Sequence, residues 1–132
     1  MDLLRRVGRK RSSPGEIPDT GSGSVIVPVT GHDVDRLVIR LAGVLARRQA
    51  SHVTLVHIVE VPRSLPIDTE YQVDESQHIL DAAAKEAESM GFRPETELIQ
   101  SRDAGAAIVA ESQALNADLI LLGLPRLTAN GQ

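Results

Sequence analysis

The sequence contains no cysteine. That excludes a disulfide framework, thiolate catalysis and cysteine-ligated zinc or iron–sulfur sites. Tryptophan is also absent, and Tyr71 and Phe92 are the only aromatic residues. With no aromatic platform on which bases could stack, nucleic acid is not an expected partner. No apolar run approaches the roughly 20 residues that cross a bilayer, and no apolar stretch follows the basic cluster near the start as a secretory signal would require. The chain is therefore expected to be soluble and cytoplasmic. Three catalytic or phosphate-binding signatures are missing as well: the GxSxG elbow, the GxxxxGK[ST] loop and HExxH. The single GxG, Gly21-Ser22-Gly23, precedes an apolar strand instead of following one, so it is not a dinucleotide turn.

What remains is a chain of 132 residues, 42% apolar, enough for one domain and too little for two. Its net charge of −4 is unevenly spread. Residues 1–23 carry five basic residues, Arg5, Arg6, Arg9, Lys10 and Arg11, against three acidic ones. The remainder, 24–132, carries nine basic residues against fifteen acidic. Residues 12–24 are rich in Ser, Gly and Pro and read as a linker. The expected organisation is a basic flexible arm and linker over 1–23, then an ordered domain over 24–132. A basic arm is suited to an anionic membrane surface; the alternative is a solubilising lead-in.

From Ser24 onward strands alternate with helices. Val25–Val29 is apolar on both faces. A helix over about 33–49, with Asp33 as N-cap, places Val34, Leu37, Val38, Leu41, Val44 and Leu45 on one stripe. His52–Val59 forms a second strand, followed by a dozen-residue loop too long for a plain connection. The next helix spans about Val73–Met90, with Asp74 and Gln77 as a capping box and Gly91 at the C-cap. Glu95–Gln100 is a mixed strand of the kind found at an edge; a helix from Asp103 to Leu115 follows, then the apolar strand Asp118–Leu122.

Four strands joined by helices predict right-handed crossovers and an open parallel α/β sheet with helices on both faces. Counting strands from Val25, an order of 3-2-1-4 keeps the two-sided apolar strands covered and the mixed one at an edge. Chain direction then reverses between the first and fourth strands, and open α/β sheets bind ligands outside the carboxyl ends at such a point. The loops facing it are Thr30–Asp33 and Gly123–Thr128.

The candidate chemistry there is sparse. The four histidines, His32, His52, His57 and His78, have no metal-ligand spacing, so no metal site is expected. Asp33 and Asp118 are the carboxylates nearest the reversal point, and both also have structural uses. Tyr71 is read as a lid or packing residue. Arg126 could fork onto phosphate oxygens; the alternative is a plain surface arginine.

These segments together resemble the universal stress protein family over about 24–128. Val27-Pro28-Val29-Thr30-Gly31-His32 is similar to its first-strand signature, and Asn116-Ala117-Asp118-Leu119-Ile120-Leu121-Leu122-Gly123 to its Ala-Asp-Leu-Ile…Gly signature. The pattern from Leu41 to Arg48, the strand Val53–Val59 and the segment Asp103–Ala110 also match in order and spacing. The resemblance implies a contact set for an adenine nucleotide such as ATP at Val29, Thr30, Gly31, Ile58, Gly123, Arg126 and Thr128. Three departures bear on it. Thr30 stands where ATP-holding members have Asp, and Arg126 replaces the second glycine of a Gly-x-x-Gly loop, with Pro125, which has no N–H, before it. The distal Gly-Ser/Thr and the family's fifth strand would fall past Gln132.

The expectation is a non-catalytic regulatory or sensory domain with a degenerate nucleotide site and no firm cofactor. The basic arm and the end at Gln132 add the expectation of a piece excised from a membrane transporter and lying at its cytoplasmic face. Two alternatives are a nucleotide-binding stress protein with weak or no ATPase activity and a dimerisation scaffold. Self-association as a homodimer is expected through the edge of the last strand, whose unpaired backbone is a template for another chain.

Overall fold

A computed structural model of the chain describes residues 4–10, for their backbone, and 23–124. Eight elements follow one another: β1 (Leu4–Lys10), β2 (Ser24–Pro28), α1 (Val34–Gln49), β3 (His52–Glu60), α2 (Val73–Ser89), β4 (Glu95–Ser101), α3 (Ala104–Ala114) and β5 (Leu119–Ile120). They form one sheet ordered β1-β4-β3-β2-β5. β2, β3, β4 and β5 are parallel, and their order is the 3-2-1-4 expected from the apolarity of the strands.

The central strands earn their place by composition. Val25, Ile26 and Val27 on β2 and Val53, Leu55 and Val56 on β3 are all buried. Alternation divides them between two layers. Val25, Val27, Val53 and Leu55 join Val38, Ile39, Ala42, Leu80, Ala83 and Ala87 in the larger core, under α1 and α2. Ile26, Val56, Ile99 and Ala107 form the smaller one, under α3.

Helix α1 departs from its expected stripe. Val38, Ile39 and Ala42 are buried, whereas Leu37 is 67% and Leu41 51% exposed. The apolar arc is wider than the core needs, and its flank away from α2 is left at the surface. The caps also differ. Asp33 is helical and makes no side-chain cap bond. At α2 the N-cap is Gln72, in the left-handed region, and Gln77 donates to Asp81 one turn on instead of completing a capping box. The other end is as expected: Gly91 N–H bonds Glu88 O and Phe92 N–H bonds Ala87 O, a Schellman closure. Asp103 caps α3, accepting from Ala106 N–H at 3.1 Å.

The largest correction lies at the start of the chain. Leu4–Lys10, expected within a flexible arm, forms a strand antiparallel to β4. β4 is thus the outermost parallel strand but not the sheet edge. Its polar residues Thr96, Glu97, Gln100 and Ser101 are buried, where an edge reading would leave them wet. The rest of the expected linker, residues 11–22, lies outside the described residues.

Candidate functional site

Strand β2 touches β3 on one side and β5 on the other, so the switch point falls between β2 and β5. What separates the two strands there is one residue. Val27 stands level with Leu121, whose N–H donates to Ile26 O at 2.9 Å. In a parallel ladder the next rung would run from the N–H of residue 28 to Leu121 O. Residue 28 is proline and has none, so the ladder stops and the strand ends are free to part.

The loop after β2 is built around a carboxylate. Asp35 accepts from Thr30 N–H at 2.9 and 3.0 Å, from Gly31 N–H at 2.7 Å and from Thr30 Oγ1 at 3.0 Å. Thr30 Oγ1 accepts in turn from His32 N–H at 3.1 Å. Gly31 holds φ +86°, open to glycine at little cost, and a Cβ there would meet Ile79 at 3.0 Å. A residue in the first turn of α1 thus ties down the loop before the helix, while the helix's own first amides, those of Asp35 and Arg36, bond the carbonyls of His32 and Asp33.

The neighbouring groups are also occupied. Val29 is buried, its N–H donating to Val56 O at 2.8 Å. Val29 O is 2.8 Å from His57 Nδ1, which therefore carries the proton and donates. On the β5 side Gly123 lies against α1, where a Cβ would come within 2.6 Å of Val38 Cγ2 and 2.9 Å of Val34 Cγ2. Helix packing alone demands glycine here, whatever the ligand. Of the expected contact set, Val29, Thr30 and Gly31 come together at the end of β2, with Gly123 across the gap. Ile58 packs on the smaller core, on the α3 face. Arg126 and Thr128 lie outside the described residues. Asp118 is at the opposite end of the sheet, accepting from Ser24 N–H at 2.8 Å and so joining the starts of β2 and β5.

The long loop between β3 and α2 is held by β4. Gln100 Nε2 donates to Ile67 O at 3.0 Å and Thr69 O at 2.6 Å, while its Oε1 accepts from Tyr71 N–H at 3.1 Å. Arg102 donates to Val61 O, Pro62 O and Leu65 O. Tyr71 packs on the larger core. Asp35, His57, Gln100 and Arg102 are the residues that sequence reasoning missed. A polar Gln100 in an apolar register was the available signal, and it was taken for an edge.

A parallel sheet whose strand order reverses between β2 and β5 defines the class as an open α/β domain, a fold in which ligand sites generally lie at the switch point. Residues 22–132 match the universal stress protein family, and the chain belongs to it. Among solved structures it is similar to a universal stress protein from Archaeoglobus fulgidus, at 20% identity and TM-score 0.71, covering 83% of this chain and 82% of that one. A complex of the universal stress protein from Archaeoglobus fulgidus with dAMP matches at 20% identity and TM-score 0.67, covering 78% and 82%. A universal stress protein family member from Arabidopsis thaliana with AMP bound matches at 16% identity and TM-score 0.55, covering 77% and 76%. No curated protein matches the sequence significantly.

Proposed function

We propose that this chain is a non-catalytic regulatory domain whose crevice between β2 and β5 takes adenine nucleotides weakly. Structural neighbours hold dAMP and AMP, which supports the ligand class. The observation that carries the weakness is Asp35. Its carboxylate occupies the amides of Thr30 and Gly31, so neither is available to a ligand's phosphate, and it sets a negative charge beside them. A bound anion would have to displace an internal one. In the sequence, Pro125 has no N–H to donate two residues after Gly123. Among the described residues, the carboxylate bonded to this loop is Asp35, and it is engaged by the loop's own N–H and hydroxyl groups, which favours a binding role over general-base work.

Calorimetric titration with ATP should give a dissociation constant weaker than about 100 μM, near −5.5 kcal/mol. Low-micromolar binding would overturn the reading. Phosphate release from ATP should stay at the buffer background, and saturable turnover would contradict the non-catalytic role.

A scaffold role has its own support at the β5 side. Leu119 is 41%, Leu122 55% and Leu124 74% exposed. A short strand with apolar neighbours favours pairing with a second copy in a homodimer. The transporter-associated role, at the cytoplasmic face of a membrane, draws its support from the basic residues Arg5, Arg6, Arg9, Lys10 and Arg11. No helix among the described residues is long and apolar enough to cross a membrane.

A further inference from the structure

The β4 side carries two of the most deeply buried acids of the fold. Glu97 is 0% and Glu111 1% exposed. Both belong to the α3 face: Glu97 is two strand residues from Ile99, and Glu111 one helical turn from Ala107. Carboxylates at that depth are held by cations or by dense sets of donors.

β1 brings cations in a specific register. Arg9 stands opposite Glu97, Gly8 opposite Leu98 and Arg6 opposite Ile99. Cross-strand partners in an antiparallel pair share a face. In a regular strand, positions 6 and 9 would fall on opposite faces. The irregularity between Arg6 and Gly8 inserts Val7 as an extra residue and returns both arginines to register positions on the α3 face. A bulge that aligns two arginines with a buried acidic layer is a recognition feature, and one that edge capping alone does not require.

We propose that the outer edge of β4 is an acceptor site for a basic extended peptide, filled here by the chain's own Leu4–Lys10. Backbone pairing supplies generic affinity, and the Glu97–Glu111 layer selects a basic strand over a neutral or acidic one. The tether permits the intramolecular arrangement. Thirteen residues separate Lys10 from Ser24. From strand spacing and rise, the two ends lie about 17 Å apart. Thirteen residues can reach at least about 43 Å when extended, so the connection is long enough for the intramolecular pairing. The site is independent of the crevice and stands or falls separately from nucleotide binding.

The test uses a fluorescent synthetic peptide of residues 2–11 and the full chain. The double variant Arg6→Glu/Arg9→Glu weakens the resident arm and should bind the peptide at least tenfold more tightly than the unmodified chain, whose own arm competes. Adding Glu97→Gln to that variant should lower peptide affinity about tenfold. In the unmodified chain, hydrogen exchange should show protected amides along the outer side of Thr96–Ser101. Arg9→Ala should speed their exchange at least tenfold while β2 and β3 amides stay unchanged. Equal peptide binding by both chains, or none by a double variant shown folded by circular dichroism, would overturn the proposal. If that variant does not fold, the exchange data decide: outer β4 amides exchanging at loop rates in the unmodified chain would also overturn it.

Discussion

At one edge of the parallel sheet, β4 is paired with β1 from Thr96 to Ser101. At the other, β5 pairs with β2 at only Val25–Leu119 and Ile26–Ile120 before Pro28 ends the ladder. The first edge is polar and buried, with Glu97, Gln100 and Ser101 all at 0% exposure. The second is apolar and open. Each composition suits its circumstances. On β4 the polar side chains are buried where the β1 backbone pairs along its outer side and the loop carbonyls of Ile67 and Thr69 meet Gln100. The apolar side chains of β5, Leu119 and Ile120, remain partly at the surface. The two edges also serve the crevice differently: β4 fixes the long loop through Gln100 and Arg102, while the short β5 ladder lets the strand ends part.

The largest expected effect sets a covered residue against an open one. Ile99→Ala removes a fully buried side chain and should cost about 2–5 kcal/mol in denaturant unfolding. Leu119→Ala, on the open edge, should cost no more than about 0.5 kcal/mol while the chain is monomeric. A concentration-dependent loss at Leu119 approaching that at Ile99 would show the second edge covered in an assembly.

Gln100→Ala comes next, at about 1–3 kcal/mol, because it leaves two loop carbonyls and one amide without their partner. Amides of the 61–72 loop should exchange faster, and unchanged exchange would show that the loop is held by other contacts. On the open edge, sedimentation at high micromolar concentration should show a dimer, and Ile120→Lys should weaken it at least tenfold. Monomer alone at that concentration would remove the scaffold role. The smallest effect is expected from Pro28→Val. The added rung contributes about 0.5–1.5 kcal/mol, and the greater freedom of the unfolded chain offsets about 0.4–1 kcal/mol of it. Stability should therefore barely change. The diagnostic is a protected amide at residue 28, whose rapid exchange would show that the strands part for another reason.

The parallel sheet and its order were legible because apolarity ranks β2 and β3 as central without any knowledge of contacts. The β1 strand was not. Leu4–Lys10 has neither strand alternation nor an apolar face, and it is ordered by the edge it meets, which no local pattern records. The same limit applies at the crevice. Thr30 and Gly31 could be placed after the first strand, but Asp35 looked like one more polar helix residue. Its role depends on a loop that turns back over the first turn of α1. Gly123 was legible for the wrong cause: it was read as a phosphate-loop glycine, yet Val34 and Val38 already exclude any larger residue. Gln100 was misread because an edge and a loop anchor both place polar residues in a strand.

The central claim is that the donors at the switch point are spent on an internal carboxylate. Asp35→Asn keeps an acceptor for the loop amides and removes the negative charge. Calorimetry should show ATP binding about tenfold more tightly to this variant than to the unmodified chain, a gain of about 1.4 kcal/mol, with adenosine binding changed less than about twofold. Equal ATP affinity in the two chains would contradict the claim, because the carboxylate would then have no part in keeping phosphate out.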